Sequence, residues 1–385
     1  MTAAAATGSD RPAVAIWRTD WLPASETFIV DQIAALARWR PITVGLRRVT
    51  DGFPIIPDLA PFDRRVLSRA AHRADAILGY RFPYDRWLAR HEVRVLHAHF
   101  GPGAIRVLPI AMRNRLPLVA TFHGFDATSE PARTDEAGRR YRAGLVRLFS
   151  GCTRLIAVSE FIAERLIELG APESKVIVHH IGVPTDRGPQ FDDRSRRSGI
   201  TFVGRLREQK GIRHLIEAVA ALPDDLRSST PVRVIGTGEL RAELGQLADR
   251  RRVNVQWLGR LSPEQVAVEL EHTAVFCGPS ITHDGATEGF GTVYLEAALH
   301  SAPVVAYASG GVVESVANGI TGLLVPEGDV VGLSGQLRTL LTDTDRARQL
   351  GRAGRERVLR SFDIRQQTAE LERIYDETIA DSAAT

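Results

Sequence analysis

Apolar runs of four to seven residues recur along the chain, separated by longer stretches whose apolar positions return every three or four residues. The first pattern suits strands buried on both faces, the second suits helices that cover them. In the first half the spacing predicts strands over 13–17, 42–46, 93–98, 117–122, 153–158 and 175–179. Helices are predicted over 25–38, 103–113, 134–149 and 160–169, with Ser159 at an N-cap and Gly170 just past a helix end. Residues 183–199 are polar, contain Pro and Gly, and read as a linker. The alternation then restarts, with strands over 200–203, 232–235, 253–257, 274–277, 303–307 and 322–325. Helices are predicted over 213–221, 240–248, 263–271, 292–300 and 330–341, then a helical tail from 344 to 380 that breaks near 361–363. Repeated βα units imply a parallel sheet with helices on both faces. Two such runs imply an α/β protein of two doubly wound Rossmann-like domains facing across a cleft, where ligands sit beyond the carboxyl ends of the strands. The expected division is 1–187, 188–362, and a C-terminal helix over 363–385 that packs back toward the N-terminal domain.

Composition narrows the class. The 385 residues are 44% hydrophobic and 25% charged, which allows two ordinary globular cores. Cys152 and Cys277 are too few for a disulfide framework and lack metal-ligand spacing, so a cytoplasmic protein is expected. The first eleven residues lack the pattern of a signal peptide, and no apolar window reaches the roughly 18 residues of a membrane span. The net charge of +3 is unevenly shared: residues 1–187 hold 26 basic and 19 acidic residues, the rest 23 and 27. The positive half lacks the basic-aromatic strip of a nucleic-acid binder, and no nucleic-acid partner is expected. Of the 49 basic residues only Lys175 and Lys210 are lysine, so 47 are arginine. An isolated arginine therefore carries little information here, and a lysine carries more.

Four glycine-containing turns follow strands in the second half. After 200–203 come Gly204-Arg205 and then Lys210-Gly211 ahead of a helix. Gly204 lets backbone approach a ligand. Arg205 and Lys210 beside a helix N-terminus suit a diphosphate, the arginine by a two-oxygen grip and the lysine as a point charge. Gly236-Thr237-Gly238 and Leu258-Gly259-Arg260-Leu261 are weaker signals of the same kind. The fourth turn runs from Glu288 through Gly289, Phe290, Gly291 and Thr292 to Glu296. Glycosidase carboxyls lie about 5–9.5 Å apart, whereas eight helical residues rise about 12 Å. The two glutamates read better as separate acceptors along one extended ligand.

Together these residues resemble glycosyltransferase family 4, whose members are retaining, nucleotide-sugar-dependent enzymes of the GT-B fold. The resemblance spans most of 12–365 and includes Ser309-Gly310-Gly311 with Glu314, and 319–326. It implies that Arg205 and Lys210 bind the donor diphosphate, that Glu296 accepts from ribose hydroxyls, and that Glu288 holds hydroxyls of the donor sugar. The amides of Phe290, Gly291 and Thr292 would assist, Gly204 and Gly238 would bring backbone to the donor, and Arg260 and Leu261 would line the base pocket. His123, in the run Thr121–Asp126, would stand against the transferring sugar. Residues 22–28 resemble the first loop of members that build exopolysaccharides, without the glycine pair many relatives carry there.

The resemblance implies transfer of a sugar from a UDP- or GDP-sugar to a hydroxyl of a glycan, lipid-linked or small-molecule acceptor, in polysaccharide or glycoconjugate biosynthesis. The leaving diphosphate would accept the acceptor's proton in a front-face attack. An isomerase or phosphorylase of the same fold, and a catalytically silent binding protein, are the alternatives. No metal or other cofactor is expected: Asp343-Thr344-Asp345 reads as a helix cap, and His97 and His99, at a strand end facing the cleft, lack zinc spacing and an assigned task. Residues 62–94 carry Arg64, Arg65, Arg69, Arg73, Arg81, Arg86, Arg90 and Arg94. This cluster suits either peripheral contact with an anionic membrane or a solvated surface coloured by the arginine bias.

Overall fold

The computed structural model describes residues 11–23, 26–49, 52, 56–60, 84–189 and 197–384. It divides into two compact units, 1–182 with 364–385, and 183–363. The division falls at 182/183 and 363/364, close to the sequence boundaries at 187/188 and 362/363.

The first unit holds β1 (Ala13–Trp17), β2 (Asp20–Trp21), β3 (Arg40–Val44), β4 (Arg47–Arg48), β5 (Val93–His99), β6 (Leu118–Phe122), β7 (Arg154–Ala157) and β8 (Val176–Val178). Six of these form a parallel sheet in the order β3-β1-β5-β6-β7-β8. The order reverses between β1 and β5, which makes their carboxyl ends the switch point where such sheets bind ligands. Strands β1 and β6 are buried at every position, as their unbroken apolar runs require. Helix Ile364–Ala384 belongs to this unit: Leu371, Ile374 and Tyr375 join Val14, Ile16, Val95 and Val119 in one core.

Polar contacts lock that helix in place. Glu372 Oε1 accepts from the backbone N–H groups of Ala37, Arg38 and Trp39 at 2.9, 2.7 and 2.9 Å. These amides follow helix Thr27–Ala35, which is shorter than the 25–38 predicted because Leu36 turns to an extended conformation. Ser159 Oγ accepts from the Ile162 N–H at 3.1 Å, the cap its position suggested.

The second unit holds β9 (Ser198–Val203), β10 (Val232–Ile235), β11 (Val255–Gly259), β12 (Thr273–Gly278), β13 (Val304–Tyr307) and β14 (Gly322–Val325). They form a parallel sheet in the order β11-β10-β9-β12-β13-β14, with its switch point between β9 and β12. Asp343 caps helix Thr344–Ser361 by accepting from the Arg346 N–H, as read from sequence.

Both units are thus Rossmann-like α/β domains. Among the described residues the pattern misses short pieces, among them the two-residue pair β2 and β4 and helices Tyr84–Arg90, Ser129–Ala132, Asp224–Ser229 and Val312–Ser315. None is long enough for a clear period. Arg64, Arg65, Arg69, Arg73 and Arg81 lie outside the described residues, as do Ala24, Ser25 and 190–196. Arg86, Arg90 and Arg94 are exposed.

Candidate functional site

In the second unit the chain leaves β9 at Gly204 and β12 at Gly278, on either side of the switch point. Lys210 ends a 3-10 turn, and helix Ile212–Ala220 begins after Gly211. Gly211 has φ +65°, and a Cβ there would lie 1.8 Å from the Pro279 carbonyl oxygen. Only glycine lets the loops after β9 and β12 approach this closely. The approach brings Lys210 Nζ to 2.5 Å from Glu288 Oε2, and Ser280 Oγ donates to the same oxygen at 3.1 Å. Ser280 is buried and receives Tyr294 OH at 3.3 Å, while that hydroxyl also donates to the Gly278 carbonyl at 2.8 Å. Burial opposes ionisation of Glu288, but Lys210, Ser280 and Arg205 outweigh it and hold the carboxyl below its usual range.

The other predicted positions surround this pair unequally. Gly236, at φ +135°, passes so near that a Cβ would meet the Gly204 carbonyl oxygen at 1.9 Å. A Cβ on Gly238 would meet the Leu206 carbonyl oxygen at 2.4 Å. Arg205 is exposed and Glu296 is half-buried in helix Thr292–Leu299. Gly291 (φ +81°) precedes that helix, and no side chain caps it, so its first N–H groups are available to an anion. The Phe290 ring is buried against Phe362 at a centroid separation of 5.8 Å. Arg260 and Leu261 follow β11, two strands from β9, with Arg260 exposed.

The first unit carries a second cluster at its own switch point. His123 Nε2 and His99 Nδ1 lie 3.0 Å apart. Phe28 and Phe100 pack on the His123 ring at centroid distances of 4.8 and 4.5 Å. Arg18 sits over Phe100 at 4.6 Å and pairs with both oxygens of Glu26, at 2.8 and 2.6 Å. The His123 and Gly124 N–H groups donate to Asp126 Oδ1 at 3.0 and 2.9 Å, and the Gly101 N–H donates to Oδ2 at 3.0 Å. Phe100 has φ +68°, a strained backbone of the kind that gathers at ligand sites. His97 differs from expectation. It is fully buried, with Nδ1 2.6 Å from Tyr375 OH and Nε2 2.7 Å from Thr121 Oγ1, so it joins the C-terminal helix to the sheet.

Comparison with known proteins matches residues 26–187 to the family described as Glycosyltransferase Family 4 and residues 190–357 to Glycosyl transferases group 1. Each half of the chain is thus similar to one glycosyltransferase family. A glycogen synthase of Mycobacterium tuberculosis is 31% identical over 278 residues, 70% of this chain and 65% of that protein. This chain therefore spans just under two thirds of that relative's length. WcaL of Escherichia coli K12, a glycosyltransferase assigned to colanic acid biosynthesis, is 29% identical over 281 residues, 70% of this chain and 66% of that protein. The structure of Anabaena Alr3699/HepE with UDP and glucose superposes with a TM-score of 0.77 at 18% identity, covering 95% of this chain and 100% of that one.

Sequence reasoning missed the Arg18–Glu26 pair, the part of Asp126 in fixing the His123 loop, and Ser280. Arg18 was hidden among the arginines. Asp126 stood in the quoted run Thr121–Asp126 but had no local sign of its amide contacts. Among the described residues no group of three or more His, Cys, Asp and Glu is placed to hold a metal. No helix among them is long and apolar enough to cross a membrane.

Proposed function

We propose that this chain transfers a sugar, with retention at the anomeric carbon, from a nucleotide diphosphate sugar to an acceptor hydroxyl. The observation that carries the reading is the Lys210–Glu288 pair at the β9/β12 switch point. Lys210 and Arg205 supply positive charge for a diphosphate, and the uncapped first turn of Thr292–Leu299 supplies N–H groups. Glu288, held ionised, accepts from donor-sugar hydroxyls, and Glu296 accepts from the ribose. Gly204 and Gly238 admit the donor to backbone, and Arg260 with Leu261 borders the base. His123 contacts the transferring sugar. The bond from the anomeric carbon to the diphosphate oxygen breaks as the acceptor oxygen bonds to the same face, and the acceptor's proton passes to the leaving phosphate. The protein lowers the barrier by positioning and by stabilising the leaving charge.

The UDP and glucose held by the superposed HepE structure favour a UDP-sugar donor, and the WcaL relative favours a glycan acceptor in polysaccharide assembly. The positive charge of residues 1–187 supports peripheral contact with an anionic membrane on the cytoplasmic side, and with it a lipid-linked acceptor. A panel of UDP- and GDP-sugars, scored by thermal shift and then by transfer of labelled sugar, tests the reading. Stabilisation by one donor and acceptor-dependent product are expected. Product formed without acceptor, or only with phosphate in its place, would replace the reading by an isomerase or phosphorylase. Sedimentation with phosphatidylglycerol vesicles at low salt tests the membrane contact, which absence of binding would refute.

A further inference from the structure

His99 is buried at the end of β5, one strand from His123, and the two rings are near parallel at a centroid distance of 5.2 Å. His99 Nδ1 faces His123 Nε2 at 3.0 Å. The two outer nitrogens, His99 Nε2 and His123 Nδ1, are buried and have no hydrogen-bond partner among the described residues. A buried N–H without a partner is rare, so two such open positions on one pair require an explanation.

Proton counting limits the answer. A neutral imidazole has one donor and one acceptor nitrogen. Burial, with His97 and Arg18 nearby, pushes both rings far below the usual histidine range, so both are neutral. One of the two facing nitrogens must therefore donate and the other accept. If His99 Nδ1 donates, His123 Nδ1 carries a proton outward and His99 Nε2 is a bare lone pair. If His123 Nε2 donates, the buried orphan N–H falls on His99 Nε2. An unpaired buried N–H is costly. His99 is 1% exposed, while His123 is only half-buried. The first arrangement puts the outward N–H on the less buried of the two rings.

We propose that His99 is a positioning residue for His123: by donating from Nδ1 it fixes the tautomer of His123, so that His123 Nδ1–H meets a hydroxyl oxygen of the transferring sugar as a donor. This rests on the reading of His123 as a sugar contact. The loop itself does not depend on His99, because Asp126 holds the backbone N–H groups of His123 and Gly124, and Phe28 and Phe100 flank the ring. Removing His99 should release the tautomer and leave the loop in place.

The test combines nitrogen-15 NMR of histidine-labelled protein with steady-state kinetics on the full chain. In wild type both His99 and His123 should show the proton on Nδ1. His99→Leu should turn His123 into a mixture of tautomers and lower kcat on the order of ten- to a hundredfold, with donor KM changed by less than about threefold. His99→Asn, which can donate from the position of Nδ1, should recover most of the rate. His123→Ala should lose at least as much as His99→Leu, and the double variant should be no slower than His123→Ala alone, since the two act as one unit. An unchanged His123 spectrum in His99→Leu, or losses that multiply in the double variant, would overturn the positioning role. Near-normal turnover in His123→Ala would instead overturn the sugar contact beneath it. A His99→Leu protein that does not fold leaves the wild-type spectrum and His99→Asn to decide: a proton on His123 Nε2 in wild type refutes the assignment.

Discussion

Lys210 Nζ donates to Glu288 Oε2 across 2.5 Å, although the two residues stand 78 positions apart in the chain. The lysine is the one cation of its type in the second unit, and the contact joins the loops that follow β9 and β12. Removing either partner should disable the donor site. Lys210→Met and Glu288→Gln are expected to reduce turnover by about two orders of magnitude or more, with circular dichroism unchanged. Near-wild-type rates in both variants would remove the pair from the donor site.

Charge on the leaving diphosphate is met by Lys210, Arg205 and helix N–H groups in the proposed site. Activity should therefore persist after dialysis against EDTA. Loss of activity that Mg2+ or Mn2+ restores would contradict this.

Lys175 has a structural task. Its Nζ donates to the carbonyls of Phe149, Ser150 and Cys152, each at 2.9 Å, and so closes the carboxyl end of helix Glu136–Gly151. Lys175→Met should cost about 1–3 kcal/mol of stability in urea and leave the specific activity of folded protein unchanged. A loss of turnover without a loss of stability would assign it another role.

Glu372, 1% exposed, takes three backbone N–H groups that no helix satisfies. Glu372→Ala leaves all three without an acceptor and should destabilise the first unit by at least about 2 kcal/mol. Glu372→Gln keeps an acceptor oxygen and should cost less. Equal unfolding midpoints for the two variants would show that the amides find another partner.

Stability should also depend on pH. Burial, with His179 nearby, pushes His97 down to about 3, and His99, His123 and His179 are lowered as well. Their unfolded value is 6.5. The unfolded chain therefore binds more protons below that pH, so this stability is complete above 6.5 and is lost as pH falls toward the folded values. Urea midpoints should decline between pH 6.5 and about 4.5, above the range of ordinary carboxylates. The decline should be shallower in His97→Gln, provided that variant folds; equal slopes would place the titration elsewhere.

Local pattern carried much of this protein's architecture. Apolar runs of four to seven residues suit strands covered on both faces, and the longer stretches with three- and four-residue spacing suit the helices that cover them, so most elements were legible with ends a few residues off. Cap residues such as Ser159 and Asp343 and glycines such as Gly211 and Gly236 were legible for the same reason, since their effect is confined to a turn of chain. The partners of side chains were not. Lys210 and Glu288 meet because β9 and β12 are neighbours in the sheet, His99 and His123 because β5 and β6 are. His97 had no assigned task until the C-terminal helix brought Tyr375 onto it, and nothing local marked Lys175 as the closure of a helix end 23 to 26 residues away. Strand order and helix docking arise from how distant apolar faces bury one another, and no window of sequence contains both faces.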